Sequence, residues 1–490
     1  MSSETGNVVD IHAPVDGWVG TSNDRGSIEI LWDCCFTVLL CCWVSTHPNA
    51  ASPSDKSWHH YLDKFHLALL GLLGPDFLFA IAIGQLSSAR RSVKLFKRDA
   101  HSCNGTSWTY RHAFFVDMGG LFLRSPDFQK GFPITAEEFH YLLEQGHVEF
   151  PDMKSMMVDK TDTADTLSRV LTVLQVIWFS VGQLSRIHKG FPMTTLELTA
   201  LSFVSVMIFT SAFWFQKPTV GKPRYIYTKN GKRVSEIRAA ARLKTHPNLP
   251  VDDTNWYRTP VHFVRGHPWL FGAHLAYYYR FLEIIRVKLL ARSMKPKLWD
   301  RVPPYVWEPA DPIFLPLALL VANFFGASFL FAWNFYFPTD AEKIIWRIFA
   351  SYQTFFCVQG SLYYAVDVCR WHRRNIEKYE NQTQPHVIEH ELAENAAMPN
   401  DPETAIPQIS PKLKRRISNR LHRWAMKWRN SSANQDPDMA IPLRVSVPMS
   451  VLLFFYLCGR LFVYIEDFYS LRRQPAGVYL TVNRFMPFSG

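Results

Sequence analysis

The chain has 490 residues, of which 15% are aromatic and only 19% are charged. Soluble domains carry roughly a quarter of charged residues, so the composition argues against a chain made only of soluble domains. The formal net charge of +11 needs no nucleic-acid partner, because positive charge on a membrane protein is attracted to the anionic cytosolic leaflet. The mean hydropathy of -0.07 averages very apolar blocks with very charged ones.

Seven blocks have the length and apolar character that a hydrocarbon core of roughly 30 Å requires. In chain order they are 27–45, 65–87, 167–184, 196–215, 313–333, 347–366 and 445–465. We therefore predict an all-α, polytopic helical membrane protein with about seven transmembrane helices and long cytosolic loops. Counts of six and eight stay open.

The first predicted helix follows an N-terminal tail, 1–26. We interpret it as retained, because only Arg25 is basic in its flank and no small-x-small cleavage motif follows it. Glu29 lies in its first turn, where an acid meets the positive end of a helix. Asp33, one turn further, is a candidate binding residue that water or a neighbouring helix could reach.

The second helix completes a first transmembrane pair, 27–87, and contains Asp76 near its middle. An ionised carboxylate at the bilayer centre costs about 2.5–3.5 kcal/mol or more on insertion scales. Pro75 removes a backbone hydrogen bond, so a helix kink and an acid coincide. Broken helices of this kind form binding sites in transporters. The alternative is a neutral Asp76 that donates a hydrogen bond inside the bundle, with Pro75 only shaping the helix.

The first long loop, 88–166, begins with clustered Lys and Arg residues. In it, Thr135 followed by Glu138 predicts a capping box that opens a short helix. A second transmembrane pair, 167–215, leads into the loop 216–312. The segment 271–295 of that loop is too charged to span a bilayer and is typical of an interfacial helix.

The third transmembrane pair, 313–366, is followed by the loop 367–442. An acidic segment typical of disorder precedes a basic amphipathic stretch, 411–429. The residues that we assign to the membrane surface are Arg415, Arg416, Arg420, Trp424 and Trp428. Basic residues with Trp on one apolar stripe predict binding to the anionic cytosolic leaflet or to a calmodulin-like partner. A helix packed on the protein's own loops is the alternative.

The last transmembrane helix, 443–466, carries Arg460. At the predicted depth its side chain could reach Asp76; snorkelling to the interface is the alternative. Lys and Arg collect in the three long loops, so the positive-inside rule makes those loops and the N-terminus cytosolic. The tail 467–490 is then lumenal or extracellular, in a membrane that the sequence does not specify.

Several stretches together resemble a family of multi-spanning fungal membrane proteins. The matching stretches are 25–43, 108–120, 132–143, 190–203, 213–218, 332–347 and 460–475. The resemblance covers nearly the whole chain and implies a multi-pass fold, but no established activity. Members have Pro-Glu where this chain has Pro75-Asp76, so the carboxyl group is kept on a side chain that is one methylene group shorter. They often have His where Phe329 stands, so no role for that imidazole carries over.

Catalytic motifs such as GxSxG, HExxH and the P-loop do not occur in the sequence. Four cysteines inside the first helix are interpreted as small packing residues rather than metal ligands: Cys34, Cys35, Cys41 and Cys42. We therefore expect no metal and no cofactor, and whether the protein is an enzyme stays open.

The first functional hypothesis is a non-enzymatic membrane protein that binds or moves a small apolar or amphiphilic molecule. Its candidate binding residues are Asp76, Asp33 and Arg460. The alternative is an intramembrane enzyme of cyclase or isomerase type in fungal specialised metabolism, with Asp76 as a general acid. A third hypothesis is a signalling protein whose basic helix meets a partner.

Overall fold

The computed structural model describes residues 10–21, 25–99, 107–156, 162–220, 222–244, 259–265, 300–302, 309–383, 429 and 442–481. The predicted interfacial helix at 271–295 lies outside the described residues. So do the acidic segment and, except for Arg429, the basic stretch 411–429 with its five membrane-surface residues. Those predictions stay predictions.

Helices dominate the described residues, which confirms the all-α class in this coarse sense. The helices are α1 (Ser27–Ser45), α2 (Ser57–Leu73), α3 (Pro75–Arg98), α4 (Tyr110–Phe115), α5 (Ala136–Glu144), α6 (Met153–Met156), α7 (Asp162–His188), α8 (Thr195–Phe213), α9 (Val234–Lys244), α10 (Leu315–Ser328), α11 (Asp340–Thr383) and α12 (Leu443–Tyr469). Short strands accompany them: β1 (Pro14–Asp16), β2 (Leu121–Arg124), β3 (Phe132–Pro133), β4 (Arg224–Tyr227) and β5 (Arg473–Pro475).

Five helices of the described chain are long and apolar enough to cross a membrane, judged by length and composition: α1, α7, α8, α10 and α12. The predicted span 347–366 is helical as part of α11, but α11 is not among the five because polar residues such as Gln353 and Gln359 interrupt it. The pair α2 and α3 passes the same test only jointly, across a bend of 120°. The predicted count of seven spans is therefore not confirmed.

The bend between α2 and α3 corrects the prediction of one continuous helix over 65–87. The chain leaves α2 at Leu73, passes Gly74 in an extended conformation, and begins α3 at Pro75. Proline suits the first position of a helix, where its missing N–H is not needed. Pro75 therefore starts a new helix and does not kink an old one.

One end of the helix bundle, here called the terminal end, holds the described parts of both chain termini. β1 pairs antiparallel with β5. Next to this ribbon, Arg25 contacts Glu197 at the start of α8 with 2.7 Å between Nη1 and Oε1. Strands that share backbone hydrogen bonds lie on the same side of any membrane. The prediction that the tails 1–26 and 467–490 face opposite sides of a membrane stays a prediction.

The opposite end of the bundle, here called the loop end, receives the long connections. Lys217, just after α8, donates from Nζ to the carbonyl oxygen of His47 at 2.7 Å and to Oε1 of Gln85 in α3 at 3.0 Å. Near the start of α2, Arg301 contacts Asp63 with 2.6 Å between Nη1 and Oδ2. Both outer ends of the bent α2–α3 pair therefore face the loop end, and the bend points into the bundle.

Beyond the loop end, the connections form a small folded layer against the outer half of α3. Its three-stranded sheet has the order β3-β2-β4, antiparallel between β2 and β3 and parallel between β2 and β4. The predicted capping box is confirmed: the backbone N–H of Thr135 donates to Oε2 of Glu138 at 2.8 Å, and α5 begins there. Phe96 of α3 stacks on Trp108 with ring centroids 4.0 Å apart.

Candidate binding site at a helix break

Asp76 lies in the first turn of α3, directly after the break at Gly74 and Pro75. The first turn of a helix leaves backbone N–H groups without intrahelical partners and carries the positive end of the helix dipole. Both effects stabilise a negative charge on Asp76. The break thus places a polar group in the interior of the bundle, where a continuous helix would present an apolar surface.

Tyr456 and Arg460 of α12 hold the carboxyl group of Asp76. The hydroxyl of Tyr456 donates to Oδ1 of Asp76 at 3.0 Å, and Nε of Arg460 donates to the same hydroxyl at 3.2 Å. Both residues are fully buried, with exposed fractions of 0% and 2%. Two of the predicted site residues, Asp76 and Arg460, are therefore brought together, bridged by a tyrosine. Because Arg460 is buried, it does not snorkel to an interface.

Aromatic rings surround the guanidinium of Arg460. Its Cζ lies 5.4, 4.5 and 5.1 Å from the ring centroids of Phe203, Phe325 and Phe329. Nη1 and Nη2 are buried and have no hydrogen-bond partner among the described residues. Cation–π attraction and the nearby carboxylate thus offset part of the cost of burying this charge.

A further tyrosine fixes the tip of the bent pair. The hydroxyl of Tyr464, two turns after Tyr456 on α12, donates to the carbonyl oxygen of Leu72 in the last turn of α2. Carbonyl groups at a helix C-terminus have no intrahelical donor, so this contact satisfies one of them inside the bundle. α12 therefore binds both sides of the break.

An apolar cavity of about 120 Å³ lies beside Asp76, between α3, α10, α11 and α12. Phe77 and Ile83 line it from α3, and its α11 wall runs from Phe356 to Tyr364. The hydroxyl of Tyr364 accepts a hydrogen bond from the backbone of Ala310, which belongs to the loop end. A cavity of roughly 150 Å³ holds a benzene-sized molecule, so this one suits an aromatic ring or a short chain.

Asp33 does not join this site. It lies on the exposed side of α1, in the half of the helix nearer the terminal end. Cys34, Cys41 and Cys42 of the same helix are buried in the core, as expected for packing residues. Among the residues that the structure describes, no group of three or more His, Cys, Asp or Glu could hold a metal ion.

Lys217 forms a second buried polar cluster, which the sequence analysis did not find. In addition to His47 and Gln85, its Nζ donates to Oδ1 of Asn49 at 3.1 Å, and Gln85 also accepts from Nε1 of Trp214 at 3.0 Å. Lys217 is 2% exposed. Burial lowers the pKa of Lys217 to about 7, with a further contribution from Arg169.

Comparison with known proteins gives one family match. Residues 7–248 are similar to a family model described as a family of unknown function (DUF8562). No curated protein matches the chain, and no solved structure matches it. The matched region contains Asp76 and Lys217 and ends before Tyr456 and Arg460. The description of this family names no activity.

Proposed function

We propose that the chain is an integral membrane protein with six complete spans, α1, α7, α8, α10, α11 and α12, around a re-entrant hairpin formed by α2 and α3. Large apolar side chains exposed on the six helices support this, because soluble monomers rarely expose extended apolar patches. On α11 the exposed residues include Ile344, Ile348, Phe355 and Leu362. They extend over about 27 Å at 1.5 Å per residue, whereas Gln353 is buried and Gln359 is partly buried.

Six spans leave both chain termini on one side of the membrane, in agreement with the pairing of β1 and β5. The loop end carries the clustered basic residues and therefore faces the cytosol under the positive-inside rule. Examples of these residues are Arg90, Arg91, Lys94, Lys217 and Lys222. This orientation differs from the sequence-based prediction only for the N-terminal tail and the connection from α1 to α2.

The function that we propose is the binding of a small amphiphile in the cavity beside Asp76. The apolar body of the ligand contacts side chains such as Phe77, Ile83 and Phe356, and its hydroxyl or protonated amine donates to the carboxylate. The single observation that carries this proposal is the position of that carboxylate, at the edge of an otherwise mainly apolar cavity. Transporters likewise form binding sites near the bilayer midplane from helices that are interrupted there.

Binding is preferred over transport because the described cavity extends from Asp76 toward one end of the bundle. On its other side, Tyr456 and Arg460 fill the space between Asp76 and the terminal end, together with the rings around Arg460. Transport needs access from both sides. A conformational change that separates Tyr456 from Asp76 would be required for it.

An intramembrane enzyme of cyclase or isomerase type is the second candidate. It is favoured by the position of the Asp76 carboxyl in an apolar cavity, which would protect a general acid from water. The helix end, the Tyr456 hydroxyl and Arg460 all stabilise the carboxylate form of Asp76, which is the form that accepts a hydrogen bond from a ligand. The geometry therefore favours binding over proton transfer.

The test uses three ring-sized probes: benzylamine, benzyl alcohol and benzoate. Purified protein in lipid nanodiscs should bind benzylamine and benzyl alcohol, seen as a rise in melting temperature and by calorimetry. Benzoate should bind at least tenfold more weakly, because its carboxylate faces that of Asp76. Asp76→Asn should abolish this preference and the cellular function, and it should lower the melting temperature less than Asp76→Leu does, because the amide can still accept a hydrogen bond from Tyr456.

Matched variants on α10 separate binding in the cavity from general adsorption. Ala322→Phe adds a ring to the cavity wall and should abolish binding of all three probes. Leu320→Phe places the same ring at an exposed position of the same helix and should change nothing. Equal binding of benzoate and benzylamine, or unchanged binding by Ala322→Phe, would refute the proposed site.

A further inference from the structure

A second and larger cavity, of about 440 Å³, lies at the loop end. It is bounded by the end of α1, the start of α2, the N-terminal part of α7 and the segment after α8. Four cationic side chains line it: Lys56, Lys64, Arg169 and Lys222. They come from three separate stretches of sequence, so only the fold brings them together.

The carboxylate of Asp55 also lines this cavity, but it is engaged elsewhere. Its Oδ2 accepts from the backbone N–H of Ser52 at 3.0 Å and lies 3.9 Å from Nη1 of Arg301. Among the lining residues that the structure describes, Asp55 is the only carboxylate. Among the described lining residues, four cationic side chains therefore face one carboxylate, Asp55, which lies close to Arg301.

The imidazole of His47 reports the electrostatic potential in this region. Burial is the largest cause that holds the pKa of His47 well below its ordinary value, followed by the charges of Arg169, Lys217 and Lys64. These three charges add a positive potential to the effect of burial. Such a region stabilises a bound anion, and more strongly than an open surface does, because its walls exclude part of the solvent.

Aromatic residues mark the rim of the cavity. Trp43 and Tyr61 line it and are 38% and 65% exposed, and Nζ of Lys64 lies 5.1 Å from the ring centroid of Trp43. Trp and Tyr are enriched where a membrane protein crosses the head-group layer. The depth of the cavity in the bilayer rests on the proposed membrane placement, whereas its preference for anions does not.

We infer that this cavity is a binding site for a phosphorylated group, held by Arg169, Lys64 and Lys222. The planar guanidinium of Arg169 matches two phosphate oxygens, and the lysines act as flexible point charges. The volume falls in the range of roughly 300–1,000 Å³ that is usual for small-molecule sites. The phosphate belongs either to a lipid head group or to a soluble compound. This site is separate from Asp76 and does not depend on the amphiphile-binding proposal.

Two probes distinguish the sources. Full-length protein in neutral detergent is titrated with inorganic phosphate, and protein in nanodiscs is compared with and without phosphatidic acid in phosphatidylcholine. Binding is measured by melting temperature and by lipid retained in native mass spectrometry. Binding of phosphatidic acid alone assigns a lipid head group, and binding of inorganic phosphate assigns a soluble phosphate compound.

The double variant Arg169→Gln, Lys222→Gln should weaken binding of the active probe at least tenfold. Both side chains are at least partly exposed, so the protein should still fold. The control Lys232→Gln, Lys244→Gln removes the same charge from exposed positions of the loop-end layer and should leave binding unchanged. Absence of binding for both probes, or equal weakening by the cavity and control variants, would overturn the inference.

Discussion

At the scale of single residues, the hydroxyl of Tyr456 connects the buried Arg460 with the partly buried Asp76. It donates to Asp76 and accepts from Arg460, so neither charge is buried without a polar neighbour. Removing one member of a buried charge pair leaves the other uncompensated, which costs more than removing both. The stability of the site should therefore be strongly non-additive.

Asp76→Leu and Arg460→Leu should each lower the free energy of unfolding by about 3 kcal/mol, the low end for breaking a buried pair. The double variant should be less destabilised than the sum of the two. Tyr456→Phe, the matched control, removes the hydrogen bonds to both Asp76 and Arg460 and should cost about 1–2 kcal/mol, since one hydrogen bond between membrane helices contributes about 0.6–1.7 kcal/mol. Reversible unfolding in nanodiscs measures all four, and strict additivity of the charge variants would contradict the bridged arrangement.

Lys217 should make stability depend on pH. Its folded pKa is about 7, whereas a lysine in an unfolded chain has a pKa near roughly 10.4. Between these values the unfolded state binds one more proton, so stability rises as pH increases through this window and falls as pH decreases toward about 7. The slope should approach about 1.4 kcal/mol per pH unit.

Melting temperatures of the wild type and Lys217→Met, recorded between about pH 7 and about pH 10, check this prediction. As pH increases, the melting temperature of the wild type should rise relative to that of Lys217→Met, because the variant lacks the buried titrating group. Lys232→Met removes an exposed lysine and should run parallel to the wild type. A Lys217→Met profile that also runs parallel would show that Lys217 does not titrate in this window.

At the scale of elements, apolar blocks predicted the cores of α1, α7, α8, α10 and α12 correctly, because length and hydropathy are local properties. The break in 65–87 was wrongly interpreted as a kink. The dipeptide Gly74-Pro75 carried the relevant signal, since glycine suits the end of one helix and proline the start of the next. The apolar block 65–87 is long enough to span a membrane as one helix, but it contains parts of two helices that are joined by a bend.

Gly74 is required at this break for steric reasons. A Cβ there would lie 2.6 Å from Cδ2 of Phe77, 3.0 Å from the hydroxyl oxygen of Tyr456 and 3.2 Å from Oδ1 of Asp76. Gly74→Ala should therefore destabilise the protein by about 1–3 kcal/mol, as overpacking usually does, and weaken benzylamine binding. Gly182→Ala on α7, where no atom lies within 4 Å of the added Cβ, should be neutral or slightly stabilising in the same melting assay. Equal effects of the two substitutions would contradict a tightly packed break.

The partners in both polar clusters could not be predicted from local patterns. Tyr456 and Asp76 are separated by 380 positions, and Lys217 and His47 by 170. The predicted depths in the membrane allowed Arg460 to reach Asp76 or to snorkel, and they did not include the tyrosine that lies between the two. A tyrosine four residues before a buried arginine, on the same helix face, was the available signal.

At the scale of the whole molecule, the topology depends on whether the pair of α2 and α3 crosses the membrane or returns to the side from which it enters. If the pair spans, the two termini lie on opposite sides; if it re-enters, they share a side, as the β1–β5 ribbon requires. The Lys and Arg counts assign the three long loops to the same side of the membrane whether or not this pair crosses. Charge counting could not assign the N-terminal tail to a side of the membrane, because that side depends on whether residues 65–87 cross.

The same topology predicts that no acceptor site for N-linked glycosylation is used. Asn104, Asn381 and Asn430 each match Asn-x-Ser/Thr, and all three belong to the loops 88–166 and 367–442, which we propose to be cytosolic. Expression in a eukaryotic host and treatment with an endoglycosidase should leave the mass of the protein unchanged. A mass shift that is lost on Asn381→Gln would contradict the orientation.

The re-entrant hairpin is tested most directly by labelling one cysteine on each side of it in sequence. Ser54→Cys and Gln129→Cys, both at exposed positions, are made in a chain whose native cysteines are replaced, and sealed vesicles are treated with a membrane-impermeant maleimide. If α2 and α3 re-enter, both positions are labelled from the same side of the vesicle, the side of the long loops. Labelling of Ser54→Cys and Gln129→Cys from opposite sides would show that residues 65–87 cross the membrane and would contradict the account.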